Sequence, residues 1–423
     1  MLEKFQILDD PRFHLLYGVS QRFGTDIEAK HLRLNREHFR LEPGLTKGMS
    51  VYPYMRLASH PSPYKGDVFS PLHGVISDIN NRSIFIEATP PDPALADAAA
   101  RAAQKTDLLA LAEEGDALRP ILKQFGLNTR SLGQQCDMLI INGLNPDPGV
   151  TWAEPMLISH FETIRAGLAM LHRLSPAKRI VLAVPEAMKF QTDAIELVHV
   201  PSRYPSSLNP LLIKAVTGKE NPDNVAAVGL HNVWSLGRVV RTGLPLVETV
   251  LTIGSLSRTG NYVVKDGSYV GEIIESARID VKDGDTLVRG GPLRGESLDR
   301  PDRSVTKGSI GIFVVEAGEV PPMEGHAPCI NCGACIQICP ARLNPAALSR
   351  YAEFALHERS RAEYIDHCME CGLCGYVCIA RRPVLQYIRL SKNKLGLDRE
   401  TLEAARLKHE LESDATPGTK EDA

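Results

Sequence analysis

Eight of the nine cysteines fall in two runs near the C-terminus, and their spacing constrains this chain more than any other feature. The first run is Cys329-Ile-Asn-Cys332-Gly-Ala-Cys335-Ile-Gln-Ile-Cys339-Pro340, and the second is Cys368-Met-Glu-Cys371-Gly-Leu-Cys374-Gly-Tyr-Val-Cys378. Both read C-x2-C-x2-C-x3-C, the spacing that holds a pair of cubane [4Fe–4S] clusters. Three closely spaced thiolates wrap one face of a cluster on a tight loop, and the fourth points to the other cluster. The expected ligands are therefore Cys329, Cys332, Cys335 and Cys378 for one cluster, and Cys339, Cys368, Cys371 and Cys374 for the other. Gly333, Gly372 and Gly375 suit loops that curl around inorganic sulfide. Disulfides would need an oxidising compartment, which nothing in the sequence suggests. Zinc sites built from paired C-x2-C motifs would leave the third and fourth cysteines of each run unexplained. Two clusters ligated in this way form a path for single electrons.

A chain of 423 residues is long enough for two to four domains. Its 43% hydrophobic and 23% charged residues are the composition of a soluble globular protein. The net charge of −3 argues against a nucleic-acid partner, which would demand a basic stripe. No apolar stretch approaches the ~18 residues that span a bilayer, and the first residues lack the charged start and apolar core of a signal peptide. Since such clusters also need assembly in a reducing space, the expected location is cytoplasmic.

Along the chain, the pattern changes several times. Residues 1–42 are mixed and polar. From Leu41 to Thr89, short strands alternate with glycine turns, and Val68–Ile79 with Ser83–Glu87 resembles half of a biotinyl/lipoyl-type barrel-sandwich. The hairpin tip carries no Met-Lys pair, so this part reads as scaffold. Residues 92–125 have helical spacing, with a break expected at Arg119-Pro120. Strands are expected at 138–141, 179–184 and 195–200, with a helix across Pro155–Leu174. Such alternation means a parallel α/β domain. Short strands return from about Gly243 to Val315, at Val247–Ile253, Tyr262–Val264, Thr286–Leu293 and Ile310–Val315. A helical spacer, Pro345–Glu363, separates the cysteine runs, and a final helix is expected from Pro383 to about Leu411.

In this order of parts the chain resembles the RnfC family, the peripheral iron–sulfur component of the Rnf ion-translocating electron-transport complex, across roughly residues 40 to 395. The resemblance is carried by Cys136-Asp-Met-Leu-Ile-Ile-Asn-Gly143 with Pro146-Asp-Pro148, by Val200-Pro-Ser-Arg-Tyr-Pro205 and by Leu212-Ile-Lys-Ala-Val-Thr-Gly-Lys-Glu220. It is carried also by His231-Asn-Val233, by Arg289-Gly-Gly-Pro-Leu-Arg-Gly295 and by the doubled cysteine runs. It implies a multidomain α/β chain: an N-terminal extension (1–40), a barrel-sandwich hybrid (41–90), a Rossmann-like α/β domain (91–242) and an SLBB β-grasp domain (243–318). An α-helical 2×[4Fe–4S] ferredoxin domain with the C-terminal helix (319–411) and a disordered tail (412–423) would follow. It implies a peripheral protein on the cytoplasmic side of the inner membrane, partnered by other Rnf-type membrane and redox subunits. Its electron donor would be ferredoxin, NADH or a cytochrome. In that family the α/β domain carries FMN and the NAD(H) site.

Three patches of this chain depart from the family's flavin and nucleotide site. The glycine-rich loop that should cradle the flavin phosphate is Arg119-Pro-Ile-Leu-Lys-Gln-Phe-Gly-Leu-Asn-Thr-Arg-Ser-Leu-Gly133, where only Gly126 and Gly133 remain. The acidic loop is reduced to Asp147, and Pro146 removes a backbone donor. The family's glutamate and lysine after the Tyr-Pro are replaced by Ser206-Ser-Leu-Asn209. The expectation is an iron–sulfur relay whose FMN and NADH site is lost. A pocket rebuilt on Arg203, Lys214 or Asn232 would make the chain a working NADH dehydrogenase module. A third possibility is a redox scaffold. Arg203 and Lys214 read first as solvated charges, His231 and Trp234 as core packing, and Cys136 as a small buried hydrophobe. No Ser-His-Asp signature is present, and Gly290-Gly291 lacks a dinucleotide fingerprint.

Overall fold

Runs such as Met138-Leu-Ile-Ile-Asn and Arg179-Ile-Val-Leu-Ala-Val have no polar face, so both of their sides must be covered. In the computed structural model, which describes residues 23–24, 27–255, 258–318 and 327–397 with Leu402 and Ala405, they lie centrally in a four-stranded parallel sheet. The strands β1 (Met138–Asn142), β2 (Arg179–Pro185), β3 (Glu196–Val200) and β4 (Val225–Gly229) are ordered β3-β2-β1-β4. Helices α1 (Ala153–Ser159), α2 (Phe161–Leu174), α3 (Asn209–Thr217) and α4 (Leu230–Thr242) connect or follow them. Ile164, Leu168 and Leu171 of α2 share one core with Val233 and Leu236 of α4 and with Leu139, Ile141 and Leu182 of the sheet.

The α2–α4 contact needs two glycines. A Cβ on Gly237 would lie 1.8 Å from the Thr163 carbonyl oxygen, and one on Gly167 would lie 2.2 Å from that of Val233.

Two features of this region differ from the sequence expectation. The helix expected across Pro155–Leu174 is two, because His160 (φ −120°) leaves the helical conformation. Its ring packs edge-on against Phe23, with centroids 4.7 Å apart. Pro120 does not break a helix but sits in the first turn of one, Leu118–Gln124, where a missing N–H leaves no bond unmade. The rest of 92–125 is helical only over Pro93–Leu95, Ala96–Ala102 and Gly115–Ala117.

Two small sheets precede the α/β layer. One has the order His31–Asn35, Ser83–Ala88, Gly74–Ile79, Ser50–Val51, and the other Arg40–Leu41, Arg56–Ser59, Val68–Phe69. Leu32, Leu34, Leu57, Ile76, Ile84 and Ile86 fill the space they enclose. A boundary at residue 41 is therefore too late: Leu32 and Leu34 of His31–Asn35 point inward, and that strand pairs antiparallel with Ser83–Ala88. Residues 1–22 of the expected extension lie outside the described residues.

After α4 comes a six-stranded mixed sheet, with Glu248–Ser255 between Thr259–Lys265 and Gly311–Val315. The strand expected over Thr286–Leu293 ends at Arg289, because Gly290 (φ 110°) turns the chain.

The described residues divide at 317/318 into two compact units. The second holds α5 (Ala334–Ile338), α6 (Pro345–Glu353), α7 (His357–Ala362), α8 (Leu373–Tyr376) and α9 (Val384–Lys394). The expected spacer helix Pro345–Glu363 is interrupted at Phe354-Ala355-Leu356, where Ala355 is left-handed (φ 56°). The final helix ends at Lys394, before the left-handed Gly396 (φ 65°). The expected tail 412–423 lies outside the described residues.

This packing is testable at two positions. Gly237→Ala overpacks the α2–α4 contact and lowers stability by about 1–3 kcal/mol, checked by denaturant unfolding. His60 is 4% exposed. Its Nδ1 accepts the Ser62 N–H at 3.1 Å, and its ring packs against Phe39. Burial, then the charges of Lys65, His38 and Lys123, lower its pKa to about 3. A histidine with a depressed folded pKa contributes stability above its ordinary value near 6.5 and loses it as pH falls towards the folded value. His60 alone should then cost about 2 kcal/mol between pH 8 and pH 5. His60→Asn, which keeps an acceptor for Ser62, should remove that part of the pH dependence in unfolding curves.

Candidate metal centre

Each cysteine run in the C-terminal unit is a left-handed turn feeding a short helix. Asn331 (φ 54°) and Gly333 (φ 77°) precede α5, and Glu370 (φ 53°) and Gly372 (φ 81°) precede α8. The runs are two copies of one design, since Cys329 and Cys368 stand 39 residues apart. The offset continues beyond the cysteines: Arg342 and Arg381 are both left-handed, and α6 and α9 begin at Pro345 and Val384.

The electrostatics show which thiols meet. Burial, then the charges of Cys329, Cys332 and Cys378, push the Cys335 thiol up. Burial also raises Cys374, followed by the charges of Cys371, Cys368, Cys339 and Cys335. The fourth thiol of each run thus stands with the first three of the other, and Cys335 with Cys374 stand where the two groups adjoin. Among the described residues, no three His, Cys, Asp or Glu side chains converge as around a single ion. A cubane takes one thiolate on each iron, so its ligands stand further apart.

The two groups differ in surroundings. Cys371 and Cys374 are buried, and the second quartet shares an enclosed cavity with Leu343, Leu348, Leu385 and Ile388. Cys332 is exposed, as are its neighbours Ile330 and Ile336. The thiol sets and the apolar wall suit a pair of [4Fe–4S] clusters, whose ligands must be thiolates shielded from water.

Charged residues outside the motif also reach the loops. Lys392 of α9 donates to the Cys368 carbonyl oxygen at 2.7 Å and to the Glu370 carboxylate at 2.9 Å. Arg389 donates to the other Glu370 oxygen at 3.0 Å. Burial pushes the Glu370 carboxyl up, but Lys392 and Arg389 outweigh it, and its pKa lies below the ordinary value. The Glu370 N–H points to Cys368 Sγ at 3.4 Å. Arg382, fully buried, pairs with Glu353 at 2.7 Å, lies over the Tyr387 ring and bonds the Ala327 carbonyl. Sequence reasoning does not find these residues from the cysteine motif. The available signal is a glutamate inside a cysteine loop with Arg389 and Lys392 one turn apart on the following helix.

In the N-terminal unit, the stretch corresponding to the flavin-phosphate loop does not present N–H groups inward. The buried Arg119 guanidinium occupies it, bonding the carbonyls of Thr129 (3.2 Å) and Gly133 and the Asp116 carboxylate (2.6 Å). A loop whose carbonyls face a cation does not suit an anion. Open parallel sheets bind ligands beyond the strand C-termini, where the strand order reverses. Here that is between β1 and β4, and Asn142 bridges the place to Ser207 O (2.8 Å) and Asn209 Oδ1 (3.3 Å). Asp147 is buried and accepts the Leu293 N–H at 3.2 Å. A Cβ on Gly291 would fall 2.2 Å from its carboxyl carbon, so the glycine pair closes onto the loop. The residues present do not fit a flavin phosphate at this place.

His231 Nε2 meets Thr249 Oγ1 at 2.9 Å, and burial lowers its pKa to about 4. Trp234 is buried in the α/β core, and Cys136 packs against that core. Lys214 pairs with Glu220 at 2.6 Å on the surface, Arg203 is exposed, and Asn232 is half-buried on α4.

A family profile described as "4Fe-4S dicluster domain" matches residues 323–379. Several relatives are RnfC-type components of ion-translocating oxidoreductase complexes. The one from Edwardsiella ictaluri is 31% identical over 296 residues, covering 65% of this chain and 37% of that one. The one from the proton-translocating ferredoxin:NAD(+) oxidoreductase complex of Clostridium ljungdahlii is 29% identical over 289 residues, covering 63% of each. The one from Buchnera aphidicola is 26% identical over 276 residues, covering 61% of this chain and 58% of that one. The chain therefore spans between 37% and 63% of these relatives' lengths. A chain of a NAD+-reducing [NiFe]-hydrogenase overlaps 66% of this one at TM-score 0.37 and 16% identity, too loose a likeness to carry an argument. No described helix is long and apolar enough to cross a membrane. With the dicluster profile, the doubled thiol runs and these relatives together, the chain belongs to the RnfC family of ion-translocating oxidoreductase complexes.

Proposed function

We propose that this chain is an electron-transfer subunit that sits peripherally on the cytoplasmic side of an Rnf-type membrane complex. Cys329, Cys332, Cys335 and Cys378 would hold one [4Fe–4S] cluster, and Cys339, Cys368, Cys371 and Cys374 the other. The observation that carries this reading is the exchange of the fourth thiol between the runs, seen in which thiols act on Cys335 and Cys374. Bound clusters supply one-electron transfer. The thiolates hold them, the wall of Leu343, Leu348, Leu385 and Ile388 keeps water from the second, and exposed Cys332 leaves the first open to a partner. The partners are other membrane and redox subunits of the complex and a donor such as ferredoxin, NADH or a cytochrome. The flavin site is lost, a reading supported by Arg119 in the phosphate loop and Asn142 across the strand ends. A dehydrogenase module would need that region rebuilt.

Anaerobic reconstitution should give about eight irons and eight sulfides per chain, the content of two cubanes. Cys371→Ala should lower this to about four of each, because one cubane loses a ligand. Cys136→Ala should leave it unchanged. Iron lost from Cys136→Ala, or kept in full by Cys371→Ala, would sink the ligand assignment.

After incubation with FMN and gel filtration, the reconstituted chain should carry no flavin absorbance. NADH should then leave the visible cluster absorbance intact, while dithionite bleaches it. Retained flavin with bleaching by NADH would make the chain a dehydrogenase module instead.

A further inference from the structure

The two halves of the cysteine unit depart from their repeat at charged positions. At the 39-residue offset, Asn331 corresponds to Glu370 and Glu353 to Lys392. The second loop therefore has an ammonium bonded to its first ligand residue, Cys368, where the first half carries a carboxylate. That carboxylate, Glu353, is matched by Arg382 at 2.7 Å. Glu370 divides its two oxygens between Lys392 and Arg389. The Lys392 side chain is only 9% exposed, so water screens its charge poorly.

Resting on the two-cluster reading above, we propose that Lys392 raises the reduction potential of the cluster held by Cys339, Cys368, Cys371 and Cys374. Reduction adds a negative charge to a site whose thiolates are already anionic. Enclosure among Leu343, Leu348, Leu385 and Ile388 works against that added charge and favours the oxidised form. A fixed positive charge beside Cys368 stabilises the reduced form and offsets the enclosure. The first quartet, with Cys332 exposed, has less enclosure to offset. Lys392 thereby brings the enclosed site towards the exposed one, so that an electron moves between them with little loss. Lys392 contacts the ligand's backbone rather than the cluster, and is a positioning residue of charge.

The test is potentiometry followed by electron paramagnetic resonance on the reconstituted full chain. In Lys392→Gln, one of the two midpoints should fall by at least about 59 mV, a tenfold change in a one-electron equilibrium, while the other stays. Lys392→Arg should restore it, and Glu370→Gln, which removes the opposing charge, should move the same midpoint up. Damage to the fold would not give shifts of opposite sign at one site. Midpoints that stay in place in both neutral variants, or that move together, overturn the proposal. If Lys392→Gln fails to load, Glu370→Gln decides: a midpoint that stays or falls overturns it. A parent chain that loads fewer than about eight irons sinks the two-cluster reading itself. A loaded parent with unmoved midpoints sinks only the role of Lys392.

Discussion

The exchange of the fourth thiol between the two runs is the contact on which the C-terminal unit depends. Cys378 stands with the first loop and Cys339 with the second, so neither group is complete without the other. The chain between the runs is closed at both ends, and α6 must return beside α9. Leu348 of α6 with Val384 and Ile388 of α9 then form the small core that the cysteines pack against. A unit this small has few apolar residues to bury, and ligand bonds that fix both loops at once supply constraint that side-chain packing alone would not.

The N-terminal unit is governed by the direction in which backbone dipoles point. A phosphate cradle needs N–H groups converging on empty space. Here the comparable loop turns carbonyls of Thr129 and Gly133 onto Arg119, and a buried guanidinium is tolerable only because those acceptors and Asp116 meet it. The arrangement is self-consistent and filled from within. The same holds at the strand ends, where Asn142, Ser207 and Asn209 satisfy one another, and at Gly291, whose missing Cβ admits Asp147. Parallel-sheet architecture survives with its usual binding crevice bridged by its own polar side chains.

How much of this is legible in the sequence depends on whether the signal is local. The cysteine spacing is local, and it announces both loops and their crossed pairing. The parallel sheet is legible because Met138–Asn142 and Arg179–Pro185 are apolar on both faces. The strand His31–Asn35 escapes notice although Leu32 and Leu34 alternate, because its partner Ser83–Ala88 lies some fifty residues on and no turn signal joins them. Pro120 reads as a breaker because a proline announces a helix start and a helix end alike, and only position distinguishes them. The breaks at His160 and Ala355 rest on single backbone torsions that no residue type demands. In sequence, Arg119 is only part of a degraded loop. That its side chain fills the place is a fact of three dimensions.

The repeat in the cysteine unit makes the two sites alike, and its exceptions make them useful. A path for electrons needs one end within reach of a partner and another sheltered from water, which exposed Cys332 and buried Cys371 provide at equivalent positions. Shelter alone separates the sites energetically, since low polarity disfavours added charge. Two substitutions within the repeat act in the compensating sense where it matters: a cation replaces Glu353 at Lys392, and the carboxylate introduced at Glu370 is held between two cations rather than left facing the thiolates. A perfect duplication would keep shelter and charge equal at both ends and give an electron no reason to prefer either. The functional information therefore lies in the positions where the second copy stopped resembling the first.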